Sequence, residues 1–208
     1  VSGGWLVAGL GNPGHRYQKT RHNAGFLFLD QLANSISPGL RWKAQFKSET
    51  VSVQLKNEDL FLIKPQTFMN LSGEAVQECL AFRKMATERL IVVHDEIDIP
   101  FGEIRVKKGG GSAGHNGLKS ITERLSSPEY YRIRLGIGRP ERASSAHDGA
   151  IREQFDVSTH VLASFSVAEM PVFEEMLSLA LKVIEALIFQ GLTAAQRACN
   201  DKKATLSK

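Results

Sequence analysis

A chain of 208 residues, 42% hydrophobic and 23% charged, has the composition of a soluble globular protein and the length for one domain with a substantial core. Its two cysteines, Cys79 and Cys199, form neither a C-x-x-C pair nor a zinc spacing, which excludes a disulfide scaffold and points to a reducing compartment. No apolar run approaches the roughly eighteen residues of a membrane span, and a net charge of +4 is only a mild hint of a polyanionic partner.

Residues 5–10 read as a short buried strand, followed by a polar loop. From about Asn23 an amphipathic helix is expected, with Phe26, Leu29, Leu32, Ala33 and Ile36 at helical spacing and Pro38-Gly39 beyond its end. Residues 44–55 and 60–64 read as an antiparallel pair turning at 56–59. A helix over 72–84 comes next, and then the wholly apolar strand 90–94, of the kind buried on both faces. A short strand at 104–107 leads through a glycine loop, 109–114, to a helix ending near 125. Residues 132–138 alternate Arg or Gly with Ile and Leu and fit a half-buried strand. The longest helix spans 167–190, and Gly191 is placed to stop it. Strands alternating with helices predict a single α/β domain, a twisted, mixed, mostly parallel sheet with helices on both faces. That domain takes in residues 1–200 and leaves 201–208 as a polar tail.

The loop after the first strand concentrates chemistry. It holds Asn12 and Asn23 beside His22, the side chain type best suited to move a proton near neutral pH. Loops at the carboxyl ends of such strands are where ligands bind. The segment His94-Asp95-Glu96-Ile97-Asp98 ends the most buried strand. There Asp95 is placed to orient His22, as a carboxylate orients the base of a hydrolytic site. For Glu96 and Asp98 a solvated strand end is the plainer reading, and the segment lacks the spacing of H-E-x-x-H or an EF-hand loop. Asn12, Asn70 and Asn116 each fall where a strand gives way to a helix. One such Asn is a helix cap; three at three crossings suggest a site that holds a peptide backbone or a water. Met69 beside Asn70 reads as core filler. Lys107, Lys108, Lys119, Arg124, Arg132, Arg134 and Arg139 form either a solvated basic face or a phosphate-contacting one.

Two patterns compete with this reading. Gly9-Leu-Gly11-Asn-Pro-Gly14 satisfies the dinucleotide fingerprint, but Pro13 and a polar stretch delay the helix whose N-terminus would hold the pyrophosphate. Gly110-Gly-Ser112-Ala-Gly114 satisfies G-x-S-x-G, with Asp148 or Asp156 and then His160 downstream. Three consecutive glycines, however, predict a pliable loop and not the strained turn of a nucleophile elbow.

These stretches together resemble bacterial-type peptidyl-tRNA hydrolase. The likeness is carried by Gly9 to Gly14 with Tyr17, by Thr20-Arg-His-Asn-Ala-Gly-Phe26 and by Lys64-Pro-Gln-Thr-Phe-Met-Asn-Leu-Ser-Gly73. It continues through His94 to Asp98, Gly109 to Leu118 and Arg134-Leu-Gly-Ile-Gly-Arg-Pro140, and extends to Val161, Leu162 and Phe165. The resemblance implies an esterase that frees tRNA from peptide at the 3′-terminal ribose and thereby recycles it. His22 would be the general base and Asp95 its orienter. Asn12, Asn70 and Asn116 would position substrate and water, Met69 would give an apolar platform, and Tyr17 would line the tRNA-end site. Lys107 and Arg134 would meet tRNA phosphate. It implies no cofactor and no metal; the partner is peptidyl-tRNA, held by its acceptor end and phosphate backbone, with no membrane involved. A cytoplasmic monomer is expected. The connection 141–160, rich in Ser, Ala and charge, looks longer than is usual in the family. A non-catalytic RNA-binding relative and a serine esterase are the alternatives.

Overall fold

The computed structural model describes residues 3–139 and 157–201. Seven strands, β1 (Trp5–Gly9), β2 (Lys43–Gln45), β3 (Ser48–Leu55), β4 (Glu58–Pro65), β5 (Leu90–Glu96), β6 (Ile104–Lys108) and β7 (Tyr131–Gly136), form one sheet in the order β2-β3-β4-β1-β5-β7-β6. The central four, β4-β1-β5-β7, are parallel, and antiparallel strands extend both edges. The mixed, mostly parallel sheet expected from the alternation of strands and helices is thus present. Parallel pairing in the centre requires crossovers, which the helices supply.

Alternate residues of each central strand enter opposite cores. Val7, Leu62, Ile91, Val93 and Ile133 pack against helices α1 (Ala24–Ile36) and α5 (Met170–Gln190), through Phe28, Leu32, Phe173 and Ile184. Leu6, Ala8, Ile63 and Val92 face the other way, onto α2 (Ser72–Arg83) and α3 (Asn116–Leu125), through Val76, Leu80, Leu118 and Ile121. Helix α4 (Val157–Leu162) precedes α5, and α6 (Leu192–Ala198) follows it. Among the described residues no helix is long and apolar enough to cross a membrane.

The departures from the sequence reading are local. The stretch 44–55 is not one strand. Phe46 and Lys47 both adopt left-handed backbone, φ 51 and 50, and turn β2 back onto β3. Such two-residue turns usually carry Asn or Gly, so Phe-Lys gave no signal. The next hairpin is tighter than expected, because Leu55 already pairs with Glu58. Gly191, at φ 86, stops α5 as predicted, but α6 after it was not anticipated. The polar tail, apart from Asp201, and most of the 141–160 connection lie outside the described residues.

One close approach sets up the site. A β-carbon on Gly25 would lie 2.4 Å from both the Leu10 nitrogen and the Val93 carbonyl oxygen, and one on Gly9 would lie 2.4 Å from the Gly25 oxygen. Only glycine at both positions lets the first turn of α1 rest directly on the ends of β1 and β5. The residues just before α1 are thereby brought over the strand ends.

Candidate active site

His22 occupies a 3-10 turn, Arg21–Asn23, that feeds into α1. Its Nδ1 lies 2.9 and 3.0 Å from the two carboxylate oxygens of Asp95, at the end of β5. A third residue joins them: His115 Nε2 is 3.2 Å from Asp95 Oδ1. The His22 and His115 rings are 5.0 Å apart. Asp95 is buried, while His22 keeps some exposure. Burial works against an ionised Asp95, but the two imidazoles outweigh it and hold the carboxyl far below the usual carboxylate range. Burial likewise disfavours a charged His22, and the charge and hydrogen bond of Asp95 overcome it, raising His22 above 6.5.

Hydrogen bonding fixes where the protons sit. His115 caps α3: its Nδ1 accepts the N–H of Gly117 at 3.1 Å and of Leu118 at 3.4 Å. The proton therefore resides on Nε2, which donates it to Asp95. Since Asp95 is ionised, His22 donates from Nδ1, and its Nε2 keeps a free lone pair. The ring nitrogens of His22 and His115 and an Asp95 oxygen all lie within 4.8 Å of one another, a spacing a metal could use. The α3 amides argue against that use, because a metal on His115 Nε2 would drive the proton onto the nitrogen those amides already occupy. A third histidine, His94, is fully buried and donates from Nδ1 to the Asp95 carbonyl oxygen at 2.7 Å. Burial and the nearby His115 push His94 well below its ordinary value, so it stays neutral. Its Nε2, the bare nitrogen, has no partner among the described residues.

Around this cluster, Asn12 is locked in place. Its backbone N–H donates to Asn23 Oδ1 at 2.9 Å and its carbonyl accepts from Asn23 Nδ2 at 3.0 Å. Its own Oδ1 accepts the Met69 N–H at 2.9 Å, and Nδ2 has no acceptor among the described residues. Met69 is buried in the 3-10 turn Met69–Leu71, and its sulfur would lie 2.6 Å from a β-carbon on Gly117. The turn carrying Asn70 thus packs on the helix that Asn116 begins. Both of these asparagines are exposed, and neither side chain has a hydrogen-bond partner among the described residues.

A sequence model described as Peptidyl-tRNA hydrolase matches residues 6–207. The chain belongs to the peptidyl-tRNA hydrolase family. The peptidyl-tRNA hydrolase of Trichlorobacter lovleyi is 46% identical over 197 residues, covering 95% of each chain. That of Dichelobacter nodosus is 43% identical over 186 residues, covering 89% of this chain and 93% of its own. A crystal structure of peptidyl-tRNA hydrolase from Acinetobacter baumannii aligns with a TM-score of 0.83 at 35% identity, covering 97% of this chain and 96% of that one.

The remaining residues expected in such a hydrolase fall into two groups. Tyr17 ends the 3-10 turn His15–Tyr17, half-buried, with the Arg16 guanidinium 4.5 Å above its ring. Lys107 on β6 and Arg134 on β7 lie on the antiparallel edge of the sheet. Arg134 is already ion-paired to Glu96 at 3.0 Å. Lys107 has no such partner among the described residues; burial, Arg132 and Arg134 lower its affinity for a proton.

The glycine loop differs from the pliable segment the sequence suggested. The buried Arg132 donates to the Gly111 carbonyl at 2.7 Å and to the Gly110 carbonyl, tying the loop down. Ser112 lacks the contacts of a nucleophile at an elbow among the described residues, and the candidate acids Asp148 and Asp156 lie outside them. Its hydroxyl meets no histidine among the described residues, and the positive φ falls on Ala113. Sequence reasoning gave His115 no part in the site, and it named Asn23 and Arg132 without the anchoring roles they play. A helix-capping His and a loop Asn were visible, but each has a bland role that conceals the second one. Phe68, 56% exposed beside Met69 and Asn70, also escaped notice.

Proposed function

We propose that this chain hydrolyses the ester joining a peptide to the 3′-terminal ribose of tRNA, using water activated at His22. Family membership supports the reaction. The single observation that carries the mechanism is the Asp95 carboxylate 2.9 Å from His22 Nδ1, itself held by His115: an ionised carboxylate there takes the Nδ1 proton as its hydrogen bond, so that Nε2 is a base. Nε2 takes a proton as water attacks the ester carbonyl carbon. The oxyanion of the tetrahedral intermediate needs donors, and the Nδ2 groups of Asn12, Asn70 and Asn116 have no acceptor among the described residues. Collapse breaks the bond to the ribose 3′-oxygen, which takes the proton back from Nε2. Burial lowers the proton affinity of His22, but the Asp95 charge and hydrogen bond outweigh it and raise it above that of a free imidazole, which strengthens Nε2 as a base.

The exposed Phe68 ring, next to the buried Met69, provides an apolar face for the peptide, and Tyr17 a surface for the tRNA end. Lys107 is the better phosphate ligand of the two basic residues, since Arg134 must first be drawn from Glu96. All of these residues come from one chain, so a monomer suffices, and the substrate's origin in translation assigns the reaction to the cytoplasm. The test is release of an N-acetylated amino acid from its tRNA, with free aminoacyl-tRNA as control. Cleavage of the acylated substrate alone, lost in His22→Ala, is expected. Binding without cleavage would favour a non-catalytic RNA-binding role.

A further inference from the structure

His22 is flanked in sequence by two anchors, and only one of them touches the site. Asn23 pins the turn to Asn12. On the other side Arg21, buried and pointing away from Asp95's cluster into the segment before α5, makes four hydrogen bonds. Its Nη1 donates to the carbonyls of Ala163 at 3.3 Å and Ser164 at 3.1 Å. Its Nη2 reaches both carboxylate oxygens of Glu169 at 2.8 Å. The backbone is stitched as well, with Arg21 N–H on the Ala163 carbonyl at 3.0 Å and Thr20 bridged to Ser164. The segment so gripped has further contacts of its own. Phe165 stacks on Phe173 at 4.1 Å, and Glu169 also accepts the Ser166 N–H at 2.7 Å.

We propose that Arg21 and Glu169 are a positioning pair for His22, setting the backbone from which its imidazole reaches Asp95. One guanidinium nitrogen is shared by both carboxylate oxygens of Glu169 while the other holds two main-chain carbonyls, so the charged group is fixed in direction as well as distance. Mere adhesion of the segment to the domain would not need that precision, because Phe165 and the backbone bonds already provide it. The pair touches no reacting atom, so its influence is on turnover and not on substrate affinity. The inference rests on His22 being the general base.

The experiment compares Glu169→Gln and Glu169→Ala with the wild type in steady-state hydrolysis of N-acetylated aminoacyl-tRNA, alongside His22→Ala. Glu169 is partly exposed, and Gln keeps one acceptor, so the milder variant tests the pair in a folded protein. Misplaced catalytic groups cost up to about 100-fold. We expect kcat to fall roughly tenfold or more in Glu169→Ala and less in Glu169→Gln, with KM within about twofold. The pH midpoint of His22, followed by NMR of its imidazole, should fall in the same order as its contact with Asp95 loosens; Asp95 and His115 are the ionisable groups facing it. An unchanged kcat with only a lower melting temperature would overturn the proposal, and so would a raised KM at constant kcat. If His22→Ala stays active, the mechanistic reading itself fails. If His22→Ala is inactive while both Glu169 variants turn over normally, only the positioning role is lost.

Discussion

The buried cluster at the end of β5 and the exposed rim around it are built on opposite terms. In the cluster every proton is assigned: His115 is fixed by the α3 amides, Asp95 by two imidazoles, His94 by a carbonyl. On the rim, Asn70, Asn116 and Phe68 are exposed, neither Asn side chain has a hydrogen-bond partner among the described residues, and Lys107 makes no ion pair among them. The contrast is that between a group that must be in one protonation state before substrate arrives and groups that have work only once it has arrived. Over-determination of the first is what permits the second to be loose.

The comparison breaks most sharply at His22. His22→Ala removes the base, and turnover should fall about 10²- to 10⁴-fold with little change in tRNA affinity. Asp95→Asn tests the proton assignment. The carboxylate raises His22 by charge and hydrogen bond, while burial lowers it. Removing the carboxylate leaves burial in command, so the acid limb of the rate profile, where His22 loses its proton, should move to lower pH. The plateau should fall at the same time, because Nδ1 is no longer held protonated. A limb that moved to higher pH would refute the assignment. On the rim, Lys107→Ala should leave kcat intact, raise KM and flatten the dependence of log(kcat/KM) on log salt by about one unit per lost phosphate contact. Arg134→Ala should do less, since Glu96 already answers its charge. The smallest effect is expected from Ser112→Ala, which should turn over almost as the wild type does; a loss comparable to His22→Ala would restore the serine-esterase reading.

Much of this was legible in the sequence, for identifiable reasons. The apolar run of β5 ending in His94-Asp95 could only be a central strand, and strand ends in such sheets converge, so the His22–Asp95 pairing followed from pattern alone. The glycines at 9 and 25 were visible, yet their use was not. Close approach of α1 to β1 and β5 is a property of two backbones in space, and it is what puts His22 within reach. His115 was hidden by its own good behaviour as a helix cap. Arg21 was hidden because its partners, two main-chain carbonyls and the Glu169 carboxylate, lie more than 140 residues along the chain, and Arg132 because its partners are main-chain carbonyls of the glycine loop, which no side-chain pattern announces. The Phe46-Lys47 turn lacked turn-forming residues altogether.

The central claim is that His22 rests with its proton on Nδ1 and a bare Nε2. Nitrogen-15 NMR of the imidazoles across the pH range measures this directly. The account predicts a neutral Nδ1–H form for His22 that takes its second proton above pH 6.5, and whose Nδ1–H signal changes in Asp95→Asn. A neutral form protonated on Nε2, or a His22 that titrates below its ordinary value, would contradict it.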